Sequence, residues 1–377
     1  MSRLTATWRW PRNGLRAVRG SRAIRGRRAI AAQRRLQLHA LVGLIALYLG
    51  VAGCLGEARA QRAPGDTPPA VTVQPRHQPQ GQAEAASRLA CERETGRVFI
   101  AHADGRECIA YHLTPEPAGQ REAVFYFHGD LTAREVQAPE FTAGYLARMR
   151  RALAAIAARE NVPIVFVSRP GVLGSSGNHG ARWQPKEMLS MNAAVDAIKS
   201  RHAISTIVVA GQSGGSTIAA ALLTLGRRDI TCAVLGSGAL LLAETVSHLR
   251  TSSGVSPSPL SLLRKVYFDP AEHIAGIAAQ PGRRLFVLGD PRDRRTPFEL
   301  QRRFASRMTA SGHHAVAVEV SARGAAMHNV AHLTLPAAAR CARGLSDQEI
   351  LRGLAPSQAS NGSDGTGLSD HDLADPQ

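Results

Sequence analysis

Residues 206–225 read TIVVAGQSGGSTIAAALLTL. The run Thr206–Ala210 is β-branched or small and apolar without alternation, as in a strand buried on both faces. The run from Ser216 is rich in Ala and Leu, which favour helix. Between them, Gly211-Gln212-Ser213-Gly214-Gly215 has the spacing G-x-S-x-G. A serine on so sharp a strand-to-helix turn is held strained, with its hydroxyl projecting above the sheet edge. Glycines at 211 and 215 let strand and helix approach closely around it. The helix N-terminus aims backbone N–H groups at the same point, where negative charge develops on an acyl oxygen. No lysine follows the glycines, so this is not a Walker phosphate loop.

Outward from this turn, apolar β-branched runs alternate with helical patterns. Strands are expected at 98–102, 107–113, 123–128, 163–168, 206–211, 231–235, 285–289 and 316–320. Helices are expected at 141–159, 185–201, 215–226, 297–311 and 329–343, with Pro185 and Pro297 at first-turn positions. Asp104-Gly105 marks a hairpin between the first two strands. The expected fold class is α/β: a doubly wound, mostly parallel sheet with an N-terminal antiparallel hairpin. A short insertion, 237–280, precedes the penultimate strand and should hold short helices above the sheet.

A serine alcohol is a poor nucleophile without a base, and the base needs an orienting acid. Both candidates stand at strand C-terminal ends, where open α/β sheets place their ligands. After the strand ending at Gly289, the loop DPRDRRTP carries Asp290 and Asp293. After the last strand, SARGAAMHN carries His328. His332, one turn into the last helix, is the weaker candidate base, and His313 and His314 sit at a strand start. Asp290 precedes Pro291, which restricts it to extended backbone and suits a residue capping nearby amides. Asp293 is therefore the expected acid.

Together, the hairpin, the His128-Gly129 turn, the GQSGG elbow, the GDPRDRRTP loop and the late His328 resemble the α/β-hydrolase superfamily over about residues 95–345. The compact late region, FDPAEHIAGI then GDPRDRRTP, resembles its prolyl-oligopeptidase and dienelactone-hydrolase branch. The resemblance implies a serine hydrolase with an acyl-enzyme mechanism and a triad of Ser213, Asp293 and His328. It places the oxyanion donors at the N–H of Gly214 and at Asp130, just past the H-G pair. An aspartate there departs from the usual apolar residue or glycine, and its carboxylate is expected to face away. RPGVLGSSGNHG (residues 169–180) matches the Gly- and Ser-rich turn after the fourth strand, either a wall of the substrate pocket or a tight turn needing positive φ. His128 stands where the peptidases carry an oxyanion tyrosine, and neither an N-terminal propeller nor a His-Gly-Gly-Gly run is present. The expected activity is ester or amide cleavage, carboxylester favoured, on a small-molecule or peptide substrate. A prolyl-oligopeptidase-like peptidase and a non-catalytic envelope protein on the same scaffold are the alternatives. No cofactor or metal is implied, and the oligomeric state stays open.

The formal charge of +17 points at first to a nucleic-acid partner. Yet residues 1–60 hold 12 arginines and one acid, Glu57, which leaves +6 for the remainder. No nucleic acid is therefore expected as partner. An Arg-rich lead to Arg35, the apolar ALVGLIALYLGVAGCL (40–55) and Ala58-x-Ala60 form an export signal. Val51-Ala52-Gly53-Cys54 also fits a lipobox, and the 21 uncharged residues 36–56 are just long enough for an anchor. The protein is expected to be periplasmic, secreted or lipid-anchored, meeting the membrane only through this segment. The long basic lead also suits an overextended start or a transit peptide. Residues 61–90, rich in Pro and Gln, read as a linker, 91–352 as the hydrolase domain and 353–377 as a flexible tail. Cys91, Cys108, Cys232 and Cys341 allow three pairings, or none. The hairpin turn sets Cys108 opposite Ala101, so a bridge to Cys91 needs the chain to fold back around Thr95-Gly96.

Overall fold

In a computed structural model of the chain, residues 80–114, 120–352 and 354 are described. The basic lead, the signal with its lipobox, the linker through 79 and nearly all of the 353–377 tail lie outside the described residues. Eight strands form one sheet: β1 (Arg97–His102), β2 (Gly105–Leu113), β3 (Glu122–Phe127), β4 (Ile164–Val167), β5 (Thr206–Gln212), β6 (Ile230–Gly236), β7 (Arg284–Gly289) and β8 (His314–Glu319). Their order is 1-2-4-3-5-6-7-8. β2 is antiparallel to both neighbours, and every pairing from β4 to β8 is parallel. The fold class is the expected one, a mostly parallel α/β sheet with an N-terminal antiparallel hairpin.

The central strands are continuous apolar runs because both faces are covered. Phe125, Phe127, Val209, Leu235 and Val287 pack on one face with α4 (Pro185–Arg201), α5 (Gly214–Thr224) and α8 (Phe298–Ala310). Val124, Tyr126, Val208, Val234 and Phe286 pack on the other with α3 (Pro139–Glu160) and α9 (Ala331–Ala342). All eleven residues of α5 are buried, so the helix behind Ser213 is a core helix held by packing on all sides. Proline opens α3 and α4 at their first positions, whereas Pro297 stands one residue before α8. The insertion after β6 holds α6 (Leu242–Ser252) and α7 (Leu260–Val266), then two 3-10 turns.

Two expectations change. Helix α1 (Gln80–Glu92) occupies the end of the stretch read as linker. Residues 80–92 contain no proline and four alanines, a strong local helix preference hidden in the composition of the whole 61–90 segment. The hairpin register also differs. His102 pairs with Gly105, so Ala103-Asp104 is the two-residue loop and Cys108 stands opposite Phe99, not Ala101. The chain does fold back around Gly96, whose φ is +77° and whose carbonyl accepts from Tyr111 N at 2.7 Å. That return lays α1 on the hairpin, where Cys91 bonds Cys108. Cys232 bonds Cys341, joining β6 to α9.

Two short helices were not anticipated. A Thr132–Glu135 capping box opens α2 (Ala133–Val136), and α10 (Asp347–Arg352) follows α9.

Candidate active site

β5 delivers Ser213 into the turn with φ +56° and ψ −123°, a backbone state rare for a residue with a Cβ. Its amide donates to Gly236 O at 2.9 Å, so the turn is fixed to the end of β6. Neither flanking glycine tolerates a side chain. A Cβ at Gly211 would lie 2.3 Å from the Gly215 carbonyl carbon, and one at Gly215 would lie 2.0 Å from Phe127 O. Gly214 is the first residue of α5, and the leading N–H groups of a helix have no intrahelical acceptor.

The loop after β7 separates the two aspartates. Asp293 Oδ1 accepts from Arg295 N (2.8 Å) and Thr296 N (3.0 Å). Its Oδ2 lies 2.9 Å from His328 Nδ1 and 2.8 Å from Thr296 Oγ1. Both side chains of this pair are buried. With Nδ1 donating to the carboxylate, His328 Nε2 is the ring's remaining polar atom, and it has no hydrogen-bond partner among the described residues. Asp290 faces elsewhere. It accepts from Arg292 N and its guanidinium and from Ala322 N at 2.9 Å, tying the loop after β7 to the one after β8. Hydrogen bonding from Arg292 holds the Asp290 carboxyl down at about 2, against the opposing effect of burial.

One residue that the sequence reading did not single out joins nucleophile and histidine loops. Gln212 is fully buried; its Nε2 donates to His328 O at 2.9 Å and its Oε1 accepts from Val330 N at 3.1 Å. A polar side chain ending a buried apolar strand is the signal that could have found it.

The turn after β3 is held as firmly. His128 Nδ1 donates to Gly129 O at 2.7 Å, leaving Nε2 to accept from Arg169 N at 3.3 Å. Leu131 N donates to His179 Nε2 at 3.2 Å. Burial, then the charge of Arg169, push His128 well below the usual histidine range; burial, Arg169 and Arg182 push His179 down to about 3. Both rings are therefore neutral acceptors near pH 7. The Asp130 carboxylate does not turn away from the site. It lines the cleft beside Gly214, where a Cβ would lie 2.4 Å from its Oδ1. Its charge is met by Arg169, wholly buried, whose Nη1 is 2.6 Å from Asp130 Oδ1 and whose other nitrogens bond both oxygens of Glu187 at 2.8 and 3.2 Å. The 169–180 stretch is a tight turn, with positive φ at Gly171, Gly174 and Gly177, and it also supplies His179 to the site.

A cleft of about 190 Å³ opens beside Ser213, lined also by Asp130, Leu131, Thr132, Trp183, Thr245 and Thr296. Backbone strain concentrates around it: Trp183, Ser213, Ser237 and Met327, the residue before His328, all have positive φ. Ser213, Asp293, His328 and Asp130 thus lie on turns and loops at one edge of the sheet, with Gly214 opening α5 beside them. His332 lies beyond them, in α9. Among the described residues no cluster of His, Cys, Asp and Glu could hold a metal ion.

No protein-family model and no curated protein matches the chain. Solved structures similar to it include the Pyrococcus furiosus esterase Pf2001, at 17% identity and a TM-score of 0.42, covering 62% of this chain and 85% of that one. Est1E of Butyrivibrio proteoclasticus, solved with ferulic acid bound, is 13% identical with a TM-score of 0.47, covering 69% and 100%. The acylaminoacyl peptidase of Pyrococcus horikoshii is 14% identical with a TM-score of 0.43, covering 61% and 38%.

Proposed function

We propose that this protein is an exported serine hydrolase that cleaves an ester or amide bond through an acyl-enzyme. The reading is carried by one observation: a serine held at φ +56° between strand and helix shares a sheet edge with a buried His328–Asp293 pair at 2.9 Å. Ser213 attacks the carbonyl carbon while His328 Nε2 takes its proton, then returns it to the leaving group. Asp293 fixes the tautomer that exposes Nε2 and stabilises the imidazolium. The amides of Gly214 and Asp130 face the oxyanion. Water then hydrolyses the acyl-enzyme with the same groups in reversed roles.

Asp293 suits its role because four donors surround it: two amides, a threonine hydroxyl and the imidazole. The two disulfides favour an oxidising compartment and so support export. A fluorophosphonate should label the folded protein once, at Ser213, and Ser213→Ala should lower kcat by about 10⁴-fold or more. An adduct on another serine, or none in folded protein, ends this assignment. Intact mass of protein from its native host should show a chain beginning at Gln61 or at a lipidated Cys54; a chain beginning at Met1 overturns export.

A further inference from the structure

The cleft beside Ser213 is lined by two arginines, Arg182 and Arg295. The Arg295 guanidinium is exposed and has no hydrogen bond or ion pair among the described residues; only its amide is engaged, on Asp293. Arg182 lies 5.0 Å over the Trp183 ring, and its Nε is 3.9 Å from Asp130 Oδ1, beyond hydrogen-bond range. That carboxylate is already bonded by Arg169. Trp183 Nε1 is a buried donor without a partner among the described residues.

The Arg182-Trp183 pair is built, not incidental. Trp183 holds φ +66°, with its amide donating to Glu187 Oε2 at 2.6 Å and its carbonyl accepting from Phe268 N at 2.8 Å. Glu187 is clamped in turn by the buried Arg169. A strained backbone anchored on a buried ion pair therefore sets the Arg182 guanidinium and the Trp183 side chain at the cleft. Of the residues that line the cleft, two are arginines (Arg182, Arg295) and one is an acid, Asp130, whose Oδ1 Arg169 already bonds. Asp293, the other acid nearby, is shut in beside His328 and Thr296.

We infer that this cleft takes an ester or amide bearing a carboxylate, which Arg182 and Arg295 hold beside the Trp183 indole. The inference rests on the serine-hydrolase reading and names its substrate class. A guanidinium presents two parallel donors that match a carboxylate; Arg295 has no protein partner among the described residues, and Arg182 is held only by a 3.9 Å ion pair to Asp130 and by the Trp183 ring. The volume suits a short acyl or aryl group. The carboxylate can sit on the acyl side or on the leaving-group side, and paired substrates separate the two.

The test compares kcat/KM within two pairs: the 4-nitrophenyl monoester of adipate against its methyl ester, and acetylated 4-hydroxyphenylacetate against its methyl ester. The charged member of one pair should be preferred by roughly tenfold or more. Arg182→Gln and Arg295→Gln should each cut that preference several-fold, and the Lys variants should keep part of it. Raising salt to about 1 M should shrink it, because both guanidiniums are partly in water. Slowing of Ser213 labelling by adipate, but not by dimethyl adipate, makes the same comparison without turnover. Labelling at Ser213 with no charge preference in turnover or in protection overturns this inference alone. A preference that survives both Gln variants overturns the assignment to these arginines. Neither labelling nor turnover overturns the hydrolase reading and this inference with it.

Discussion

Gln212 carries the tightest link between the two halves of the site. Its amide group satisfies the carbonyl of His328 and the N–H of Val330, and it is wholly buried. Gln212→Leu strands both backbone groups, at about 1–3 kcal/mol of stability. More specifically, it frees the histidine loop to shift, so kcat should fall roughly 10- to 100-fold with KM little changed. Steady-state kinetics beside thermal unfolding decide: a lower Tm with unchanged kcat makes Gln212 a packing residue only. The two aspartates make a second contrast. Asp293→Asn should lower kcat by about 10⁴ through the wrong tautomer, whereas Asp290→Asn should leave it within about tenfold. Asp290 has a depressed pKa, so its contribution is complete above about pH 4 and is lost as pH falls through about 2. Unfolding measured between pH 2 and 5 should show a flatter acid limb in Asp290→Asn. An inactive Asp290 variant beside an active Asp293 variant reverses the assignment. Ser213, Asp293 and His328 were legible because their motifs specify chain order and strand ends. Gln212, Arg169 and Thr296 were not, because their roles depend on contacts between distant loops.

The loops after β3 and β4 brace one another. His179, from the 169–180 turn, accepts the Leu131 amide and so steadies the turn that carries Asp130. An acceptor must be unprotonated, and this ring is held down at about 3 by burial and two arginines. The stability it confers is therefore complete above the usual histidine pKa near 6.5, and it declines as pH falls toward 3. His179→Gln keeps an acceptor without a proton equilibrium. Denaturant unfolding should then lose less stability between pH 7 and pH 4 in that variant than in the parent; equal slopes refute the role. The strands were legible to within two residues at each end, and the central ones most closely, since parallel strands covered on both faces appear as unbroken apolar runs. Errors fell where short-range chemistry competes with composition: the hairpin loop slipped by one residue, and α1 was hidden within a Pro- and Gln-rich stretch.

At the scale of the whole molecule, the sheet turns residues 115 positions apart in the chain, Ser213 and His328, into neighbours on one edge. Order along the chain announced that arrangement; the cysteine pairing was not announced, because four cysteines at these spacings leave every choice open. The bond between Cys232 and Cys341 spans 109 residues. Both Asp293 and His328 fall within that span, and Ser213 falls before it. The exposed stretch from Ser253 to Pro257, between α6 and α7, also lies within it and is the natural place for a foreign protease to cut. A single cut there would divide nucleophile from base along the backbone yet leave the halves covalently tied. Brief treatment with elastase, which cuts after small apolar residues such as Val255, should thus give one band without reductant and two with it, while hydrolysis continues. For the exported enzyme proposed above, in a place where nothing can resynthesise a damaged chain, such a hoop would let a nicked copy keep working.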